Sequence, residues 1–346
     1  MSSSDSCLLL YPDYILECKT SGGNSSTPDR PVSNIHDGYL SRNGAKRLRK
    51  AVSWLHAATP VHKETNPETG KRFNMRLNFI TLTLCAQQEH DDKTIKSRML
   101  EPFIDNLRRR YKLKAYLWRA EAQKNDNIHF HLVTNRFMNL YVIRRLWNKR
   151  QAALGYIKKY RDQQQDWHKY GFKSRPWLYK QWCKKSQFKA WKHGLSTNWS
   201  DPNSTDIHAL NKVHNAAGYI AKYMTKTSKA TCNKCHTDHY FSDPVPVSPQ
   251  CRKCGHHLSI ERERPIQGRI WFISRSLSNI KPPKIKITST IEAELFLNSI
   301  GGHTPHVLND FVSIYRRAPS KHTLFNSSEI KQAYEQHIKS IQDKIW

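Results

Sequence analysis

Two strand-forming runs, LKAYLWRAE (Leu113–Glu121) and NIHFHLVT (Asn127–Thr134), flank the short polar segment AQKND, and this pair constrains the fold more than any other stretch. β-Branched and aromatic residues favour strands, and the Asn-Asp pair suits a hairpin turn. A hairpin closing symmetrically about Asn125 sets Glu121 opposite His129 on one face. The two-residue period adds His131 to that face and sends Phe130 into the core. Two imidazoles and a carboxylate with open positions suit a catalytic Mg²⁺ or Mn²⁺ that also holds a substrate oxygen; Zn²⁺, which favours imidazole, is the alternative. The chain has 18 histidines, so a solvated strand face with incidental histidines is the competing reading.

A metal that polarises a phosphodiester needs a nucleophile, and NAAGYIAKYMTK (Asn215–Lys226) offers two. Read as a helix, it places Tyr219 and Tyr223, with Lys222 and Lys226, along one broad face. A phenol that attacks phosphorus stores the bond energy as a phosphotyrosine ester, and a nearby lysine favours the phenolate and neutralises developing charge. An amphipathic helix with core tyrosines is the plainer alternative.

The partner class follows from charge. The formal net charge is +29, with a pI near 9.9, which calls for a polyanion, and nucleic acid is the usual one. CLLLYPDYIL is too short to cross a bilayer and lacks the flanks of a signal peptide, so no membrane role is expected. Four scattered cysteines (Cys7, Cys18, Cys85, Cys183) read as free thiols of a reducing compartment. No phosphate-binding loop is present, since ETGKRF is only a Gly-Lys pair; this argues against an NTPase or helicase.

FITLTL, WRAE…NIHFHLV and GYIAKYMTK, in that order, resemble the three motifs of HUH-superfamily rolling-circle replication initiators. The similarity is greatest to the two-tyrosine type of small circular single-stranded-DNA phages and related bacterial elements. SDPNSTDIHAL and GRIWFISRSL add to it, so it spans roughly residues 43 to 280. The resemblance implies that Glu121, His129 and His131 ligate the metal, that Tyr219 and Tyr223 are the nucleophiles, and that Lys222 orients phosphate or tyrosine. It implies an α+β HUH endonuclease fold: a central antiparallel sheet flanked by helices, here with an inserted zinc ribbon and a helical C-terminal tail. The implied activity is metal-dependent nicking and joining of single-stranded or origin DNA, leaving a 5′-phosphotyrosine and a free 3′-OH primer. A separate helicase and a DNA polymerase would then be partners, in the cytoplasm of a bacterial host cell. A two-tyrosine HUH transposase and a non-catalytic zinc-ribbon DNA-binding protein remain the alternatives.

CNKC…CRKC gives Cys232, Cys235, Cys251 and Cys254 in a C-x₂-C-x₁₅-C-x₂-C spacing, the pattern of two knuckles clasping one structural Zn²⁺. His236, His239, His256 and His257 leave a Cys₃His variant open. Arg252 and Lys253 are candidate DNA contacts, as is Lys226 in its second Tyr-x-x-Lys register. Six tryptophans from Trp147 to Trp199, including Trp167, Trp177, Trp182 and Trp191, are interleaved with lysines. They form either a single-strand stacking surface or core. The expected organisation is an irregular N-terminal arm (1–42) and an endonuclease domain (43–280), the latter with a basic Trp-rich insertion (about 155–204) and the ribbon (about 229–260). A mainly helical segment (284–346) ends the chain.

Overall fold

The computed structural model describes residues 6–12, 14–19, 38–66, 69–178, 182–210, 228–241, 248–259, 264–287, 306–309, 312–316 and 328–346. In chain order the elements are β1 (Ser6–Leu10), β2 (Tyr14–Lys19), α1 (Arg42–Ala58), β3 (His62–Thr65), β4 (Arg72–Met75), β5 (Leu77–Leu82) and α2 (Asp92–Ile95). A π-helical turn (Lys96–Leu100) leads into α3 (Glu101–Tyr111), followed by β6 (Tyr116–Ala122), β7 (Ile128–Thr134), α4 (Leu140–Ala153), α5 (Tyr156–Trp167), a 3₁₀ turn (Pro176–Leu178) and α6 (Lys184–Ser196). The rest is β8 (Thr205–Leu210), β9 (Ser228–Thr231), β10 (Asp238–Phe241), β11 (Trp271–Ile273), α7 (Arg275–Ser278), β12 (Lys284–Ile287), β13 (His306–Asn309), β14 (Val312–Arg316) and α8 (Ser328–Ile345).

The hairpin forms as its sequence predicts. β6 and β7 pair antiparallel with Glu121 opposite His129, and Asp126 takes a left-handed conformation (φ 62°) in the loop. They sit at the middle of a five-stranded antiparallel sheet of order β11-β6-β7-β5-β8. Register aligns Trp271, Arg119, His131, Thr81 and Asp206 in one row across all five strands, hence on one face. The opposite face carries Trp118, Phe130, Leu132 and Ile80, all buried. Phe130 meets Trp147 of α4 edge-on at 6.1 Å, and Trp147 meets Phe103 of α3 at 5.5 Å. Each fully buried aromatic or aliphatic side chain of this core contributes roughly 1.5–3 kcal/mol.

Pro102 forces the helix entering this core to adapt. Proline lacks an N–H and its ring collides with the preceding turn. The chain meets this with the π turn, in which the Glu101 N–H reaches back five residues to the Lys96 carbonyl. On the histidine-bearing side, α1 approaches β11 closely: a Cβ on Gly44 would lie 2.9 Å from Trp271 Nε1, so only glycine fits there. Ser41 caps that helix, its Oγ accepting from the Gly44 N–H at 3.1 Å.

Two expectations need correcting. Part of the supposed irregular arm is strand: β1 and β2 join β12, β13 and β14 in a second five-stranded antiparallel sheet of order β12-β1-β2-β14-β13. The cause is CLLLYPDYIL itself, whose Leu8, Leu10 and Ile15 are buried. The C-terminal segment is likewise not mainly helical, because it supplies three strands of that sheet before α8. The apolar stripe of α8 does bury as its period predicts, with Ile341 and Ile345 nearly inaccessible. The basic insertion holds α5 and α6, and Gly194 lets the Trp199 ring lie against α6, where a Cβ would collide with that ring. Among the described residues, no helix is long and apolar enough to cross a membrane.

Candidate metal centres

Glu121 and His129 are cross-strand partners, and His131 follows His129 by one strand period, so sheet register alone brings their tips together. His129 Nε2 is 2.8 Å from Glu121 Oε1 and 3.0 Å from His131 Nε2; His131 Nε2 is 3.2 Å from Glu121 Oε1. Neighbouring ligands at right angles around an ion at about 2.1 Å stand about 3.0 Å apart, so this triangle matches one face of an octahedral coordination shell. All three side chains are nearly buried.

The electrostatics suit a cation. Burial alone would raise the Glu121 carboxyl, but hydrogen bonds from His129 and His131, with the Arg119 charge, hold it well below the usual carboxylate range. Burial pushes His131 down, against the pull of Glu121, which favours the neutral imidazole that ligates metals. His131 Nδ1 lies 3.2 Å from Thr81 Oγ1; an Nδ1–H donating there turns the Nε2 lone pair into the cluster. Phe79 stacks on the His131 ring at 5.1 Å and fixes its plane. Two imidazole nitrogens and a carboxylate this close repel one another without a proton or a cation among them. Glu121 Oε2 and His129 Nδ1 are also buried without a hydrogen-bond partner. The residues present therefore fit a metal ion.

Sequence reasoning missed Thr81, Phe79 and Arg119, which orient and charge this group. Arg119 stands 3.6 Å from Glu121 Oε2 while itself buried. Only strand register reveals them, because β5 meets β7 from outside the hairpin. Asp206 and His208, half or more exposed and ion-paired at 2.7 Å, share the same sheet face on β8.

The second centre is built from two matching knuckles. The Cys232 carbonyl accepts from His236 N–H and the Cys251 carbonyl from Gly255 N–H, both at 2.8 Å. His236 (φ 54°) and Gly255 (φ 70°) occupy the same left-handed position. The four sulfurs lie within 4.8 Å of one another. Cys232 to Cys254 is 3.5 Å and Cys235 to Cys251 is 3.4 Å, against about 3.8 Å for sulfurs tetrahedrally bound to zinc. Thr237 brings the Cys235 thiol down to about 6. Although the His256 amide lowers Cys254, the crowding sulfurs push it up to about 12, a conflict that a bound cation removes. His239 reaches this cluster, its Nε2 3.1 Å from Cys251 Sγ.

The other predicted site residues divide. Tyr219, Tyr223, Lys222 and Lys226 lie outside the described residues. Arg252 and Lys253 are exposed between the cysteines of the second knuckle. Of the tryptophans, Trp147 and Trp199 are core, Trp167 and Trp191 are half-buried, and Trp177 and Trp182 are exposed.

No curated protein and no solved structure matches the chain. Residues 77–228, which contain Glu121, His129 and His131, match the model of a family described as replication-associated proteins of the ORF2 type. That match supports a replication-initiator family for this chain.

Proposed function

We propose that the protein initiates rolling-circle replication as a two-tyrosine HUH endonuclease, nicking origin DNA and later rejoining it. The observation that carries this reading is the convergence of Glu121 Oε1, His129 Nε2 and His131 Nε2 within 3.2 Å, inside the segment that matches the replication family. A divalent ion held there, Mg²⁺ or Mn²⁺, would polarise the scissile phosphate as a Lewis acid.

The chain's own residues do the rest. The Tyr219 or Tyr223 oxygen attacks phosphorus, its bond to the 3′ oxygen breaks, and that oxygen leaves as the 3′-OH after taking a proton. The product is a 5′-phosphotyrosine; a later attack by a 3′-OH reverses the step and frees the phenol. Lys222 orients the phosphate. Chain length permits the encounter. β8 ends at Leu210, opposite Leu77, four residues along β5 from Thr81, or about 13 Å. The nine residues from Leu210 to Tyr219 cover about 14 Å even at helical rise, and Tyr223 about 6 Å more, the spacing of the His131 and His129 rows.

The four cysteines would hold structural Zn²⁺, and Arg252 and Lys253 would contact DNA from the second knuckle. Residues 43–280 would form the catalytic unit, with a separate helicase and a polymerase acting on its product.

The test uses labelled single strands tiling the replicon's intergenic DNA, with Mn²⁺ or Mg²⁺, resolved on a denaturing gel. A covalent adduct that requires metal and disappears in the Tyr219→Phe, Tyr223→Phe double variant is expected. Tight, origin-specific binding with no adduct from the wild type would replace this reading with that of a non-catalytic DNA-binding protein.

A further inference from the structure

The segment between α5 and α6 exposes large aromatics where a chain seeking only stability would bury them. Tyr170 is 94% exposed, Trp177 67% and Trp182 40%. They are not leftovers of a failed core, because a separate aromatic cluster fills the interior of this insertion. There His168 stacks on Trp199 at 5.3 Å, and Phe172, Phe188 and Trp191 meet within 5.1–5.7 Å.

The exposed rings are held in place. Gln187, itself buried, accepts from the Arg175 N–H at 2.8 Å and donates to the Arg175 and Trp182 carbonyls at 3.1 and 2.9 Å. One amide thus pins both sides of the loop that carries Trp177. Trp167 stands edge-on to Trp177 at 5.7 Å and is itself flanked by Lys173 at 4.2 Å and the Arg175 guanidinium at 4.9 Å. Trp167 is therefore occupied by cations, and the largely exposed Trp177 ring stands beside two positive charges.

Charge selects the occupant. Residues 155–204 hold eleven Lys and Arg against three Asp and no Glu. Of these acids, Asp162 is paired with Lys158 at 2.6 Å, and Asp201 accepts from Asn148 at 3.0 Å. An apolar protein partner gains nothing from such a field, and duplex DNA hides its base faces from exposed rings. A single strand offers both backbone charge and open bases.

We propose that Trp177 and Trp182, with Tyr170, form a base-stacking platform for single-stranded DNA, and that Lys173 and Arg175 hold its phosphates. The platform rests on DNA being the partner of the proposed nicking site, but it binds independently of that chemistry.

The test is fluorescence anisotropy of labelled oligo(dT) with the full chain, at several salt concentrations and without divalent metal. Stacking is worth about 1–3 kcal/mol per base, so Trp177→Ala should weaken binding about 5- to 150-fold, and the Trp177→Ala, Trp182→Ala double variant further. Trp177→Phe, which keeps a π face, should recover most of the loss. Trp177→Ala should leave the salt slope unchanged, whereas Lys173→Ala should reduce it by about 0.7. Far-ultraviolet circular dichroism checks that each variant is folded. Equal oligo(dT) affinity of wild type and the double variant would overturn the platform. So would an equal loss on a duplex, tighter binding of oligo(U), or a dimer that only the wild type forms. Adduct formation on origin strands is scored separately: if wild type forms none while oligo(dT) binding still depends on Trp177, the nicking reading falls and the platform stands.

Discussion

The two metal-ligand clusters are built in opposite ways. Glu121, His129 and His131 are brought together by the register of a sheet that has its own large core, so the fold organises the ligands. The ribbon has only Ala230, Cys232, Cys251 and Leu258 as a buried cluster, two of them ligands, so there the ligands organise the fold. A metal at the first site has little folding to do and can serve chemistry. A metal at the second is a substitute for a core.

The largest effect that would sharpen this contrast is at the ribbon. Chelation, or Cys232→Ser with Cys251→Ser, should remove an interaction worth on the order of 10 kcal/mol and open residues 228–259 to protease. The melting of the central sheet should stay within a few degrees; a collapse of both together would break the contrast. At the first centre the expectation reverses. Glu121→Gln should cut metal-dependent adduct formation about a thousandfold, because a Lewis acid supplies several kcal/mol, while the metal-free melting midpoint barely moves. Activity near that of the wild type would remove Glu121 from the ligand set.

The ribbon also has a tether to the core. Arg264, just beyond it, grips the buried Asp92 at the start of α2 with both guanidinium ends at 2.8 Å. Arg264→Ala strands that carboxylate and should cost about 3 kcal/mol in urea denaturation, with Asp92→Asn in the double variant restoring part of it. A cost below about 0.5 kcal/mol would mean that the ion pair does not tie the two parts together.

Acid should separate the two parts as well. Burial, with Arg76 nearby, lowers His56 from 6.5 to about 4. Its neutral form is favoured in the fold, so its contribution is complete above pH 6.5 and is lost as pH falls toward 4. The loss is at most about 3 kcal/mol at 1.4 kcal/mol per pH unit. His56→Gln should flatten this slope in urea midpoints between pH 7 and 4.5 and leave acid release of the ribbon metal unchanged. An unaltered slope would place the acid sensitivity elsewhere. The smallest expected effect is Thr81→Val, which removes the partner of His131 Nδ1. Mn²⁺ affinity by calorimetry should drop about tenfold, with no change at the cysteines; an unchanged affinity would leave Thr81 without that role.

Much of the site was legible in the sequence because it is local. A hairpin with a short loop has one sensible register, and eight residues separate Glu121 from His129, so pairing followed from period and turn chemistry. The knuckles were legible for the same reason, each closing within a few residues of its cysteine pair. Thr81 and Arg119 could not be read this way, since their roles depend on which strand lies beside which.

The second sheet makes the limit plain. Leu8 and Leu9 of β1 pair with Ile285 and Lys284 of β12, nearly the whole chain away. Averaged with the Ser-, Gly- and Asn-rich residues that follow, β1 and β2 looked like an arm, and the strands near the C-terminus had no local partner to declare them. The tryptophans carried the same ambiguity: Trp199 and Trp177 look alike in sequence, yet one closes over Gly194 and the other faces solvent. The sequence by itself determined the chemistry available, the two ligand sets, the hairpin register and the basic charge, because each rests on spacing along the chain. Tertiary structure decided which side chains surround the Glu-His-His group, which aromatics remain exposed and what completes the second sheet. Those outcomes depend on contacts between distant segments, whose closure and burial no local pattern encodes.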